Sequence, residues 1–308
     1  MKGLELCRRY YEQVGRPALE RECPEVLEHM AAGLVGEGSE CLGYDDEISR
    51  DHDWGPGFCI WMTEAELERY GDRVRAVYGA LPKTWEGYAR LREDPMSAGR
   101  VGVLSIEGFY TRFLGQVSPP EKQIQWLTIP SHALCACTNG RVFEDRPGSF
   151  TALRRRWQAG YPEDVRRKKL AARCALAAQS GQYNYPRCLS RGDRVAAMRA
   201  LAEFTDHTQE AVFLLERRYR PYYKWAHRAL LELPRWGETA GPLFEQLAQG
   251  VSEAQIEPVE LLSGLLIDAL RREGLSGSES DFLLPHAKEI QETIDDPVIR
   301  ALPLMAFP

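Results

Sequence analysis

Strand-like patterning stops at Ser149. Before that point, short apolar runs bounded by glycine and proline alternate with helix-period segments, and after it only the 3.6-residue period continues. Such a chain does not close one uniform architecture. Strands separated by helices make an α/β half, whereas amphipathic helices with no strand between them make a bundle. The 308 residues suffice for two domains of about 100 to 200 residues each. The expected fold class is therefore α/β plus all-α: a mixed sheet with helices over residues 1–149 and a helical domain over 150–308.

In the first half, Leu4, Cys7, Tyr11 and Val14 recur at helical spacing, and Glu20 to Met30 reads as a second helix with Pro24 near its start. Ala31 to Val35 is a short apolar run, read as the first strand or the end of the helix leading to it. Phe58 to Met62 reads as a strand buried on both faces, followed by Thr63-Glu64-Ala65-Glu66, a capping box that opens a helix running to about Tyr78. Residues 82–99 read as surface. A further strand spans Arg100 to Ile106, a helix carries Phe109, Tyr110, Phe113 and Leu114, and a last strand, Gly140 to Asp145, ends in the turn Arg146-Pro147-Gly148. In the second half the periodicity predicts helices over 151–158, 164–182, 193–218, 222–233, 243–250, 258–273 and 286–294, with an apolar tail, 301–308, that docks on them.

Between the first two strands lies GEGSECLGYDDEISRDHDW, residues 36–54. If Asp51 and Asp53 sit on a strand, alternation puts them on one side and His52 on the other, so two carboxylates converge. Mg²⁺ takes oxygen ligands and is commonly held by one or two carboxylates together with substrate phosphates. The Gly38-Ser39 turn supplies the other half: glycine lets the backbone approach a phosphate, and amides and a hydroxyl can donate to it. Asp45, Asp46 and Glu47 read as a solvated loop, and His52 as a packed structural histidine.

The order Gly38-Ser39, Gly43, Ser49, Asp51, Asp53 is similar to the signature of the nucleotidyltransferase superfamily typified by DNA polymerase beta and the aminoglycoside adenylyltransferases. The fuller string, with GRVFEDRPG (140–148), YPEDV (161–165) and LERRYRPYYKW (215–225), resembles a bacterial branch of it, a domain family of unknown function with a C-terminal helical domain. The resemblance spans roughly residues 25 to 230. One departure is that Arg50 stands directly before the first aspartate, where the superfamily usually has serine. The resemblance implies Mg²⁺-dependent transfer of a nucleoside monophosphate, AMP from ATP foremost, to a hydroxyl acceptor with release of pyrophosphate. Asp51 and Asp53 would hold the metal. Gly38, Ser39, Arg50, Tyr219 and Lys224 would contact the nucleotide. The family usually places a third carboxylate on a later strand, but Gly102 stands at that position here, leaving Glu107 and Asp145 as candidate bases.

Composition narrows the partners. The formal charge of −6 gives no general attraction to polyanions, so a small-molecule acceptor is expected ahead of nucleic acid. The run Arg154, Arg155, Arg156, Arg166, Arg167, Lys168, Lys169, Arg173 reads first as a solvated helix face and second as a polyanion or triphosphate contact, the one support for an RNA or protein acceptor. A nucleotide-binding protein without turnover is the alternative from another class. The charged start of the chain lacks a signal-peptide core and no apolar run reaches about 18 residues, which leads to the expectation of a cytoplasmic protein with no membrane partner. The eight cysteines include no Cys-x-x-Cys pair and read as reduced core residues.

Overall fold

The computed structural model describes residues 1–51, 54–91 and 99–308. They fall into two compact units, one of residues 1–119 with 133–159, the other of 120–132 with 160–308.

The first unit is built on strands β1 (Ala31–Leu34), β2 (Cys59–Met62), β3 (Thr84–Trp85), β4 (Tyr88–Ala89), β5 (Gly102–Ser105) and β6 (Arg141–Asp145). Four make a mixed sheet in the order β5-β2-β1-β6. β1 runs antiparallel to both β2 and β6, and β2 runs parallel to β5. The α/β character expected of this half is what the chain adopts. The remaining pair is a two-residue hairpin whose turn residues Glu86 and Gly87 have φ of 49° and 82°, the double left-handed geometry that matches strand twist.

β2 is fully buried because both of its faces are covered. Ile60 and Met62 pack with Ala32 among Tyr10, Tyr11, Leu19, Val26 and Val74 from the N-terminal helices and the helix Glu64–Ala80. On the other face Trp61 stacks on Phe150, ring centroids 4.0 Å apart, with Phe109 edge-on at 5.5 Å. Thr63 and Glu66 close the expected capping box, the threonine side chain on the Glu66 amide and the glutamate on the Thr63 amide. At the β-bulge between Ala32 and Gly33, β1 passes so close to β6 that a Cβ on Gly33 would lie 2.5 Å from the Arg141 carbonyl oxygen.

Two local expectations need correction. Glu20 to Met30 is not one helix: the first helical stretch runs from Gly3 to Glu22 through a π turn at Tyr11–Gly15, breaks at Cys23, and resumes as a 3-10 turn, Pro24–His29. Pro24 disfavours helical geometry in the residue before it, and Cys23 has φ −155°, ψ 63°. Asp51 does not lie on a strand either. It closes a 3-10 turn, Ile48–Asp51, and β2 begins only at Cys59.

The second unit is helical. Its longest elements are Glu163–Ala177, Arg194–Leu215 and Ile256–Arg272, joined by Tyr223–Leu231, Gly237–Leu247 and Leu283–Glu292 around one apolar core. Asp193 caps the second of these on the Ala196 amide. A π turn at Ala178–Asn184 interrupts the predicted helix 164–182, and Gly181 there sits where a Cβ would meet the Phe204 ring at 2.2 Å. The apolar tail docks as expected, with Leu304 and Met305 against the core. Among the described residues no helix is long and apolar enough to cross a membrane.

Candidate functional site

β1 feeds residues 35–38 and a one-turn helix, Ser39–Leu42, whose N-cap Gly38 is extended at φ −66°, ψ 147°. The loop is held from below. The Gly36 amide donates to Asn139 Oδ1 at 3.0 Å, and Asn139 Nδ2 returns a bond of 2.7 Å to the Gly36 carbonyl. Arg154 sits under the same corner, its Nη2 donating to the carbonyls of Thr138 and Asn139, each at 2.8 Å; burial lowers its pKa. Two acids flank Gly38-Ser39, and each meets an arginine: Glu37 with Arg112 at 3.0 Å, Glu40 with Arg100 at 2.7 Å.

The segment carrying Arg50 and Asp51 enters β2 from this same end. Arg50 is exposed, its guanidinium 5.1 Å over the Trp54 ring. Trp54 Nε1 donates to Asp45 Oδ2 at 3.1 Å, and that oxygen also accepts from the Gly3 amide at 2.7 Å. Asp45 is thus no solvated loop acid. It is 3% exposed and anchors the start of the first helix, while Asp46 accepts from the Ser49 amide and hydroxyl, and Glu47 is exposed. His52 and Asp53 lie outside the described residues. Among the described residues no group of three His, Cys, Asp or Glu could hold a metal ion.

The sheet register separates the remaining candidates. Leu34, Cys59, Gly102 and Arg141 mark one end of the sheet, Ala31, Trp61, Ser105 and Asp145 the other. The Gly-Ser loop opens at the first end. Glu107 and Asp145 stand at the second, about 10 Å away at the rise of an extended chain. Their carboxylates are engaged there in caps: Glu107 Oε2 accepts from the Glu64 amide at 3.1 Å, and Asp145 accepts from Gly148 N at 2.9 Å and Thr151 N at 2.7 Å. The structure thus places both candidate bases at the end of the sheet opposite to the Gly38-Ser39 loop.

Tyr219 and Lys224 belong to the second unit. Tyr219 meets the Tyr161 ring edge-on at 5.2 Å, and burial pushes the Tyr161 phenol up. Lys224 is exposed, its ammonium 5.3 Å over the Trp225 ring, beside Tyr222 and Tyr223 at 50% and 68% exposure. The basic run is divided: Arg155 and Arg156 are exposed on the helix Ser149–Gln158, as a solvated face would be, whereas its later members turn inward. Arg166, Lys168 and Lys169 are 2%, 0% and 6% exposed, Arg166 bound to Glu163 and Glu273 and the two lysines to the Leu304 and Leu127 carbonyls. Arg173 and Arg220 share Asp206, and Arg173 donates to His207 Nδ1 at 2.8 Å. These cations are engaged by carboxylates, carbonyls and an imidazole within the unit.

Glu40, Arg100 and Asn139 were not legible as site residues. Glu40 reads as an ordinary first-turn acid and Asn139-Gly140 as a turn, and only the pairing of β1 with β6 brings Asn139 under the loop.

Residues 126–226 match a domain of unknown function, DUF4037. No curated protein and no solved structure matches the chain.

Proposed function

We propose that the first unit binds a nucleoside triphosphate on the Gly36–Ser39 loop and that the protein transfers the nucleoside monophosphate, with ATP as the leading donor, to a hydroxyl acceptor. The observation that carries this reading is the pinned loop: a glycine-bearing turn leaving a buried strand, its backbone fixed by Asn139 rather than by its own side chains. A loop fixed in this way can present amides to an anion without rearrangement. The Ser39 hydroxyl adds a donor, and the segment of Arg50 and Asp51 enters at the same end of the sheet. The match to a domain of unknown function covers residues 126–226, beyond the loop, and carries no activity with it.

The described residues hold no three-ligand cluster, so a metal at this site rests on the sequence pair Asp51 and Asp53. Bound there, Mg²⁺ would neutralise phosphate charge. The chain's own contribution is positioning: loop amides and Ser39 on the outer phosphates, and arginines held beside them.

A second reading is a nucleotide-binding protein without turnover. What favours it is that β5 carries Gly102 where an acid would be expected, while Glu107 and Asp145 serve as caps at the far end. Pyrophosphate release separates the two. The protein would be incubated with Mg²⁺, each of the four ribonucleoside triphosphates and a panel of polyhydroxylated acceptors. Turnover supports transfer; binding without turnover supports the second reading; no triphosphate binding by calorimetry removes both.

A further inference from the structure

The two acid-arginine pairs beside the Gly-Ser turn are not equivalent. Glu37 is 65% exposed, and an exposed pair contributes little. Glu40 is 3% exposed and its partner Arg100 17%. The Glu40 carboxyl lies tightly under Gly38, where a Cβ would meet three of its atoms at 2.3 to 2.4 Å. Its Oε1 accepts from Arg100 Nη2, while Oε2 is buried with no hydrogen-bond partner.

A buried carboxylate with one oxygen unmatched is a poor device for stability alone, because desolvation offsets much of the attraction. Nor can Glu40 touch a substrate at that exposure. What it fixes is the guanidinium: Arg100 enters β5 at the loop end of the sheet and is tied to a residue that adjoins Ser39 in sequence. A planar fork held in one orientation loses little freedom when it meets a phosphate.

We propose that Glu40 is a positioning residue for Arg100, and that Arg100 meets the outer phosphates of a nucleoside triphosphate seated on the Gly36–Ser39 loop. The proposal rests on the nucleotide reading above. It assigns Glu40 no contact with substrate and no proton transfer.

The test is calorimetric binding of ATP and of AMP, each with Mg²⁺, to wild type, Arg100→Ala, Glu40→Ala and the double variant, with melting temperature recorded for each. Arg100→Ala should lower ATP affinity about 10- to 100-fold, the range of one lost charge-assisted hydrogen bond, and AMP affinity far less. Glu40→Ala should shift the ATP-to-AMP ratio in the same direction, and adding it to Arg100→Ala should change the ratio no further. Arg100→Lys should restore part of the ratio. If either alanine variant fails to fold, Glu40→Gln and Arg100→Lys carry the same comparison. A Glu40 variant that binds ATP more tightly, loses ATP and AMP alike, or adds its effect to that of Arg100→Ala overturns the proposal. A wild type that binds no triphosphate overturns the nucleotide reading first, before any variant is compared, and this proposal with it.

Discussion

Asn139 and Gly36 exchange two hydrogen bonds, at 3.0 and 2.7 Å, across 103 residues of chain. One amide side chain thereby satisfies both backbone groups of the residue at which β1 turns into the Gly-Ser loop. Asn139→Asp keeps the acceptor and loses the donor, leaving the Gly36 carbonyl facing a carboxylate. The expected cost is about 1 to 3 kcal/mol of stability, with nucleotide binding lost to at least the same degree. Denaturant unfolding together with ATP titration would check it; unchanged affinity in a folded variant would show that the loop needs no brace.

Asp51→Asn and Asp53→Asn are each expected to reduce Mg²⁺-dependent turnover by about 100-fold or more while the fold survives, since each removes a charge and keeps the shape. Pyrophosphate release from purified variants is the measurement. Wild-type turnover in either one would sink the metal-ligand assignment.

Glu107→Gln and Asp145→Asn should behave as cap variants. The first keeps a side-chain oxygen that can accept from the Glu64 amide, so its melting temperature should barely move. The second leaves a single side-chain oxygen for the two amides of Gly148 and Thr151, and about 1 to 2 kcal/mol of stability should be lost. Neither should alter nucleotide affinity, and a selective loss of turnover in either would restore it as a candidate base.

Burial, followed by the adjacent Arg173 guanidinium, lowers the pKa of His207 from 6.5 to about 4. Its neutral Nδ1 accepts from Arg173, which can only donate. The folded value lies below the unfolded one, so the unfolded chain binds the extra proton between pH 6.5 and about 4, and stability falls as pH drops through that window. Glu163, held down to about 2 by the Arg166 hydrogen bond, extends the loss to lower pH. His207→Gln keeps an acceptor without the titration. It should flatten the melting-temperature profile between pH 6.5 and 4.

Lys168 shows the opposite cost. It is 0% exposed, bonded to the Leu304 carbonyl, and burial lowers its pKa from 10.5 to about 8. At pH 7 the folded unit carries a buried charge, and that penalty is relieved as pH rises from about 8 towards 10.5. Lys168→Met should therefore be tolerated or stabilising at pH 7 and should reduce that alkaline rise, leaving the share of Lys169, whose pKa burial likewise lowers to about 8, as followed by thermal unfolding.

The class of each half was readable because periodicity is a local property. The β2 run, the Thr63–Glu66 box and the disappearance of strands after Ser149 all reached the structure as written. What did not carry over depends on neighbours distant in sequence. Asp45 looks like any loop acid until the Gly3 amide and the Trp54 indole come to it. Lys168 and Lys169 look like a solvated run until the helix Glu163–Ala177 turns them inward. The placement of Glu107 and Asp145 is a matter of strand direction, and direction is set by pairing, which leaves no trace in spacing.

The chain passes from the first unit to the second after Pro119, returns at Ala133, and leaves again after Ala159. No single cut can therefore divide it into two whole halves. A fragment of residues 126–226, the stretch shared with DUF4037, would carry β6 away from β1, its only sheet partner among the described residues. Expressed alone, that piece would present Arg141–Asp145 as a bare edge and should aggregate or be degraded. A region that matches as one block in sequence is thus expected not to fold as one, and point substitution is the better way to dissect this protein than truncation.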